Sequence, residues 1–180
     1  IVKYLVENGA EVNAKNELRR SELQLAAMKG HLNIVKYLVE NGAEVNAKDK
    51  WSTSALERAA KNGDIDIVKY LVENGAEVNA KNESRSALQL AATMGHVKIV
   101  KYLVENGAEV NAKNESRSAI QLAAKKGHLN IVKYLVENGA EVNAKDKWST
   151  SALERAAKNG DIDIVKYLVE NGAEVNAKNE

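Results

Sequence analysis

The 180-residue sequence predicts an all-α solenoid of stacked helix–turn–helix units. Three observations predict it. One fifteen-residue block returns verbatim at a nearly fixed period, apolar residues within it follow helical spacing, and every glycine falls at one of two points of the period. The block, IVKYLVENGAEVNAK, occupies 1–15, 34–48, 67–81, 99–113, 131–145 and 164–178, so successive starts lie 33, 33, 32, 32 and 33 residues apart. A period of this size means units that each leave an apolar face for a neighbour to cover, rather than one closed globule.

Within the second copy Ile34, Val35, Leu38 and Val39 fall on one face of a helix, with Lys36 and Glu40 on the other. Asn41-Gly42 stops that helix, because glycine takes the left-handed conformation that ends a helix. A shorter helical stretch precedes it over Ser21–Lys29, where Leu23, Leu25, Ala26 and Ala27 make a small-residue packing face, and Gly30 separates the two helices. All 11 glycines stand at these two points, which leaves none for a phosphate-cradling loop. After the second helix an irregular excursion runs through Val45-Asn46-Ala47.

These residues carry a family resemblance. GHLNIVKYLVENGAEVNAK over 30–48, with Ser-x-Leu-x-Leu-Ala-Ala before it, resembles the ankyrin repeat, and the likeness covers the whole chain. The resemblance implies a β-hairpin followed by two antiparallel helices per unit, with hairpins and first helices lining a concave groove. Counted from the hairpin, the full units are 16–48, 49–81, 82–113, 114–145 and 146–178; residues 1–15 are the back half of an earlier unit and 179–180 open a further one. Two departures stand out. The Thr-Pro-Leu-His usual at the start of the first helix is replaced by words such as Ser21-Glu22-Leu23-Gln24, whose Ser still serves as an N-cap. The glycine usual at the hairpin tip is replaced by residues such as Arg19 and Ser52, so the tips are expected to be less regular than the helices.

Composition excludes several function classes. The chain has no cysteine, hence no disulfide framework, thiolate metal site or thiol nucleophile, which fits a reducing, intracellular (cytoplasmic) setting. No apolar run reaches the ~18 residues of a membrane span. Net charge is +1 and evenly spread: the repeated block sums to zero, and the segments between its copies sum to +1, −1, +1, +2 and −1. Without a basic stripe, no nucleic-acid partner is expected. His31, His96 and His128 all take one repeat position at the start of the second helix, where other units have Asp64 or Asp161. A capping or packing role suits them; copies about 10 Å apart cannot share one zinc, whose ligands lie ~2 Å from it. The chain is expected to be no enzyme and to need no cofactor.

What differs between copies points to binding. Variation is confined to the hairpin tip, the first helix and the turn after it, which in the resembled family line the groove; the alternative is a frame frozen by duplication with the rest drifting. Trp51 and Trp148, the two tryptophans, stand at the tips of DKWSTS hairpins, where a large ring is hard to bury in a thin unit. They are either partner anchors or rings stacked on the adjacent hairpin. Arg19, Arg20, Arg85 and Arg117 at or near tips, and Met28 and Met94 closing first helices, complete the candidate partner-binding set. Arg58 and Arg155 replace Leu25, Leu90 and Leu122 of other units; their heads require solvent or a carboxylate, with Asp64, Asp66, Asp161 and Asp163 as expected partners.

Two functions remain open at this level: a scaffold gripping an unidentified protein partner in its groove, or a structural spacer or filament associating end to end. The second draws on order above the single unit. Residues 49–81 and 146–178 are identical, no polar capping unit is visible, and the sequence reads as an excerpt of a longer array with a three-unit period of 97 residues. Asn82 and Asn114 are formal glycosylation acceptors if the chain is secreted.

Overall fold

The computed structural model describes residues 2–80, 85–113 and 117–175. Eleven helices and no strand form among the described residues. They divide between two compact units, 1–87 and 88–180.

In the first unit α1 (Val2–Glu7) is followed by the pairs α2 (Glu22–Met28) with α3 (Leu32–Glu40) and α4 (Ala55–Asn62) with α5 (Ile65–Glu73). α2 packs on α3 and on α4, α4 on α5, and α3 on α5, so first helices stack on first helices and second on second. Leu23, Leu38, Leu56, Ile67 and Leu71 are sealed between them, and Ala27, Ala59 and Ala60 let the short helices approach closely. One block, read at different positions, shows what covering does. Leu38 and Leu71 are 0% exposed, whereas the equivalent Leu5 in α1, at the edge of the described residues, is 50% exposed.

The second unit repeats the plan, with α6 (Ala87–Met94), α7 (Val97–Glu105), α8 (Ala119–Lys125), α9 (Leu129–Glu137), α10 (Ala152–Asn159) and α11 (Ile162–Glu170). α8 packs on α9 and α10, α10 on α11, and α9 on both α7 and α11. Ile99, Leu103, Ile120, Ile131, Leu135, Ile164 and Leu168 form its core.

The first helix predicted over Ser21–Lys29 is Glu22–Met28, with both end residues as caps. Ser21, Ser54 and Ser151 close reciprocal capping boxes, the serine hydroxyl accepting from the N–H three residues on while that residue's side chain accepts from the serine N–H. The histidines and aspartates opening the second helices do stand at the N-cap, but their side chains make no capping bond. His128 instead crosses to the preceding turn, its Nε2 3.1 Å from the Thr93 carbonyl and its ring over Gly95. The role is packing.

Polar side chains tie successive units. Gln24 Nε2 donates to the carbonyls of Ala47 and Thr53 at 2.8 Å each, and Gln121 Nε2 donates to those of Ala144 and Thr150 at 2.8 and 3.2 Å. Asn46 donates to the Gly75 carbonyl and accepts from the Glu77 N–H, both at 2.9 Å. This amide has no freedom: both ends are spoken for by the next unit.

Candidate partner-binding site

Among the described residues the tips at 16–19, 49–52 and 146–149 are four-residue turns built on Asn or Asp, not extended hairpins. An isolated antiparallel bridge joins Lys15 and Ser21. In the Asp49 turn the Ser52 N–H donates to the Asp49 carbonyl at 2.9 Å, and Asp49 N–H donates to Thr53 at 3.1 Å. The Asp49 carboxylate then folds back, its Oδ1 accepting from Trp51 N–H (2.9 Å) and Thr53 N–H (3.0 Å). Asn16 does the same for Leu18 and Arg20. The turn forces one residue into the left-handed region, and that residue is Arg19 (φ 55), Ser52 (φ 58) or Ser149 (φ 56).

An aspartate has a second oxygen where asparagine has an NH2, and this decides the neighbouring residue. Asp49 Oδ2 accepts from the Arg58 guanidinium, which reaches up from the second turn of α4. Arg20, from the preceding unit, brings its Nε to 3.5 Å of the same oxygen, close enough for charge pairing. Asp146, Arg155 and Arg117 repeat the arrangement. Both aspartate side chains are 0% exposed. Burial pushes their carboxyls up. The N–H donors of the turn and the paired arginine outweigh it, and both end below the ordinary carboxylate value.

The expected partners of Arg58 and Arg155 are therefore corrected. Asp64 and Asp161 lie instead against Gly30 and Gly127 of the preceding turns, and Asp66 and Asp163 are exposed. The signal that could have found Asp49 is within the sequence: units that open with Asp have Arg nine residues on, as Asp49 with Arg58 and Asp146 with Arg155, while units that open with Asn have Leu25, Leu90 or Leu122 at the equivalent position.

The tryptophans stand on this cluster. Arg20 Cζ is 4.8 Å from the Trp51 ring centroid and Lys50 Nζ is 4.4 Å from it. For Trp148 the corresponding cations are Arg117 at 4.5 Å and Lys147 at 4.5 Å. Both rings nevertheless remain about half open, 49% and 55% exposed. They both stack on the adjacent tip and present a surface. Arg20 and Arg117 are mostly covered by this arrangement, while Arg19 is exposed. Arg85 and Met28 are half-buried and Met94 is exposed at the end of α6. Asn82 and Asn114 lie outside the described residues.

A family model for ankyrin repeats matches the chain over 1–82, 23–114, 81–146 and 112–179. The chain belongs to the ankyrin repeat family. Ankyrin repeats are generally protein-interaction scaffolds and are typically non-catalytic. Comparison with curated proteins gave no match. In this ankyrin array, among the described residues, no group of three or more His, Asp or Glu is placed to hold a metal, and no helix is long and apolar enough to cross a membrane.

Proposed function

We propose that the chain is a non-catalytic scaffold that grips a protein partner on its tip and first-helix face, with Trp51 and Trp148 as anchors. Arg19, Arg20, Arg85, Arg117, Met28 and Met94 contribute around them, the arginines at the tips and the methionines at the ends of first helices. The observation that carries this reading is the half-open indole fixed over a buried Asp–Arg–Arg cluster. Rigid aromatic surface loses little entropy on binding, and tryptophan dominates the energetics of many interfaces. These residues also belong to the part of the repeat that differs between copies, whereas the constant block supplies buried second-helix residues such as Leu38 and Leu71.

Affinity capture from the source cell tests the reading. Replacing Trp51→Ala and Trp148→Ala together should weaken capture of the partner by about 30-fold or more, the effect of losing a hot spot. The circular dichroism melt should move little, because neither ring belongs to the core. Undiminished capture by the double variant would count against the proposal.

A further inference from the structure

The cations beside the two indoles differ in what they have to neutralise them. Asp49 is saturated: Oδ1 holds two backbone N–H groups and Oδ2 holds Arg58 and Arg20. Nothing is left for Lys50. Its ammonium is exposed, lies 4.4 Å from the Trp51 ring centroid, and has no carboxylate within ion-pair distance among the described residues. Lys147 beside Trp148 is the same at 4.5 Å. The ring attracts the ammonium through its quadrupole but leaves its charge uncompensated. Each tip thus presents a half-open apolar plate with an unpaired positive charge at its side, held in place by a buried aspartate paired with two arginines.

The complement of that surface is a carboxylate next to an apolar side chain. In an extended segment, residues two apart point to the same side and stand about 6.6 Å from each other, so one side chain can rest on the ring while the other reaches the ammonium beside it. We infer that the Lys50–Trp51 and Lys147–Trp148 tips each take an extended acidic segment of a protein partner, with a Glu or Asp carboxylate on the lysine and an apolar side chain two residues away on the indole. This rests on the reading that the tips are where the partner binds, and it adds the chemistry of what they bind. Arg20 and Arg117 serve as positioning residues, holding the indole rather than touching the segment's carboxylate.

Three synthetic peptides test it, built from repeated Glu-Ser-Leu-Ser, Gln-Ser-Leu-Ser and Lys-Ser-Leu-Ser. The readout is the emission of the chain's two tryptophans during titration. The Glu peptide should shift the emission and bind at least about five-fold more tightly than the Gln peptide, the effect expected of roughly one partly exposed ion pair. Raising salt from about 50 to about 300 mM should narrow that difference. Lys50→Ala with Lys147→Ala should bring the Glu peptide down to the level of the Gln peptide without moving the melt. Equal binding of the Glu and Gln peptides would overturn the acidic segment while leaving the tips as a binding surface. Tighter binding of a single-stranded DNA oligonucleotide than of the Glu peptide would overturn it in favour of a phosphate ligand. No emission change with any peptide would overturn it too, and the capture experiment with the tryptophan variants then decides separately whether the tips bind a partner.

Discussion

Asp49 and Arg58, nine residues apart, form an ion pair in which the carboxylate is wholly covered and the guanidinium keeps 17% of its side-chain surface open. The pair explains why two kinds of repeat exist in one chain. Where the turn opens with asparagine, as at Asn16, its single carbonyl oxygen satisfies the turn's N–H groups and no anion remains, so the helix carries Leu25. Where it opens with aspartate, the spare oxygen demands a cation, and the helix carries arginine.

Exchanging one member alone should be costly and exchanging both should not. Asp49→Asn leaves Arg58 without its counter-charge in a mostly buried site, at a cost of about 2–4 kcal/mol, below the fully buried case because Arg58 is partly open. Adding Arg58→Leu recreates the pairing of Asn16 with Leu25 and should return stability to within about 1 kcal/mol of the parent. Denaturant melts of the two single variants and the double variant measure the coupling. Additive effects would show that the pair contributes no interaction energy.

The same carboxylates make stability depend on acid. Asp49 and Asp146 have values below the ordinary 3.8 when folded. A group whose folded value is depressed binds fewer protons in the native state, so its stabilisation is complete above the unfolded value and is lost as pH falls through the folded one. Asp49→Asn with Asp146→Asn should therefore lower the melting temperature clearly near neutral pH, and the gap from the parent should begin to narrow as the pH falls below 3.8 and close only below the depressed folded values. Melts across that range check it. A gap that stays constant would mean that the ionised form is not the stabilising one.

How much of this was legible in the sequence varies along the repeat, for a physical reason. Leu38, Leu71 and Gly42 announced the second helix and its end because helical spacing and left-handed glycine are local properties. The N-cap position of His128 was legible too. Where its ring goes was not, since it reaches a carbonyl 35 residues away. Arg58 was recognised as needing a carboxylate, but Asp64 and Asp66 follow it more closely in the chain. Asp49 reaches it only because the tip turn folds back onto the helix. Side chains that act across a turn or between units depend on a geometry that no short window of residues contains.

At the tips, three side chains occupy a backbone conformation that disfavours them. Ser52 and Ser149 have φ of 58° and 56°. A Cβ in this region crowds the following carbonyl, at roughly 1–2 kcal/mol per residue, part of which glycine returns as extra freedom of the unfolded chain. Ser52→Gly and Ser149→Gly should each stabilise by about 0.5–1 kcal/mol, read as a higher denaturation midpoint with an unchanged slope. A loss of stability would mean that the serine side chains contribute more than the strain they carry.

Gly95 and Gly42 have nearly the same backbone, φ 84° and 85°, and differ in what surrounds them. A Cβ at Gly42 meets nothing within 4 Å, whereas one at Gly95 falls 2.7 Å from Cε1 of His128. Gly42→Ala should thus cost the conformational strain alone, about 1–2 kcal/mol. Gly95→Ala should cost that and more, because the imidazole must leave its place beside the Thr93 carbonyl. Truncating the ring separates the two contributions. In a His128→Ala background the alanine at position 95 has room, so its added cost should fall to the Gly42→Ala value. If Gly95→Ala were no worse than Gly42→Ala in the parent chain, His128 would be moving aside freely and its packing against the preceding turn would contribute nothing to the stack.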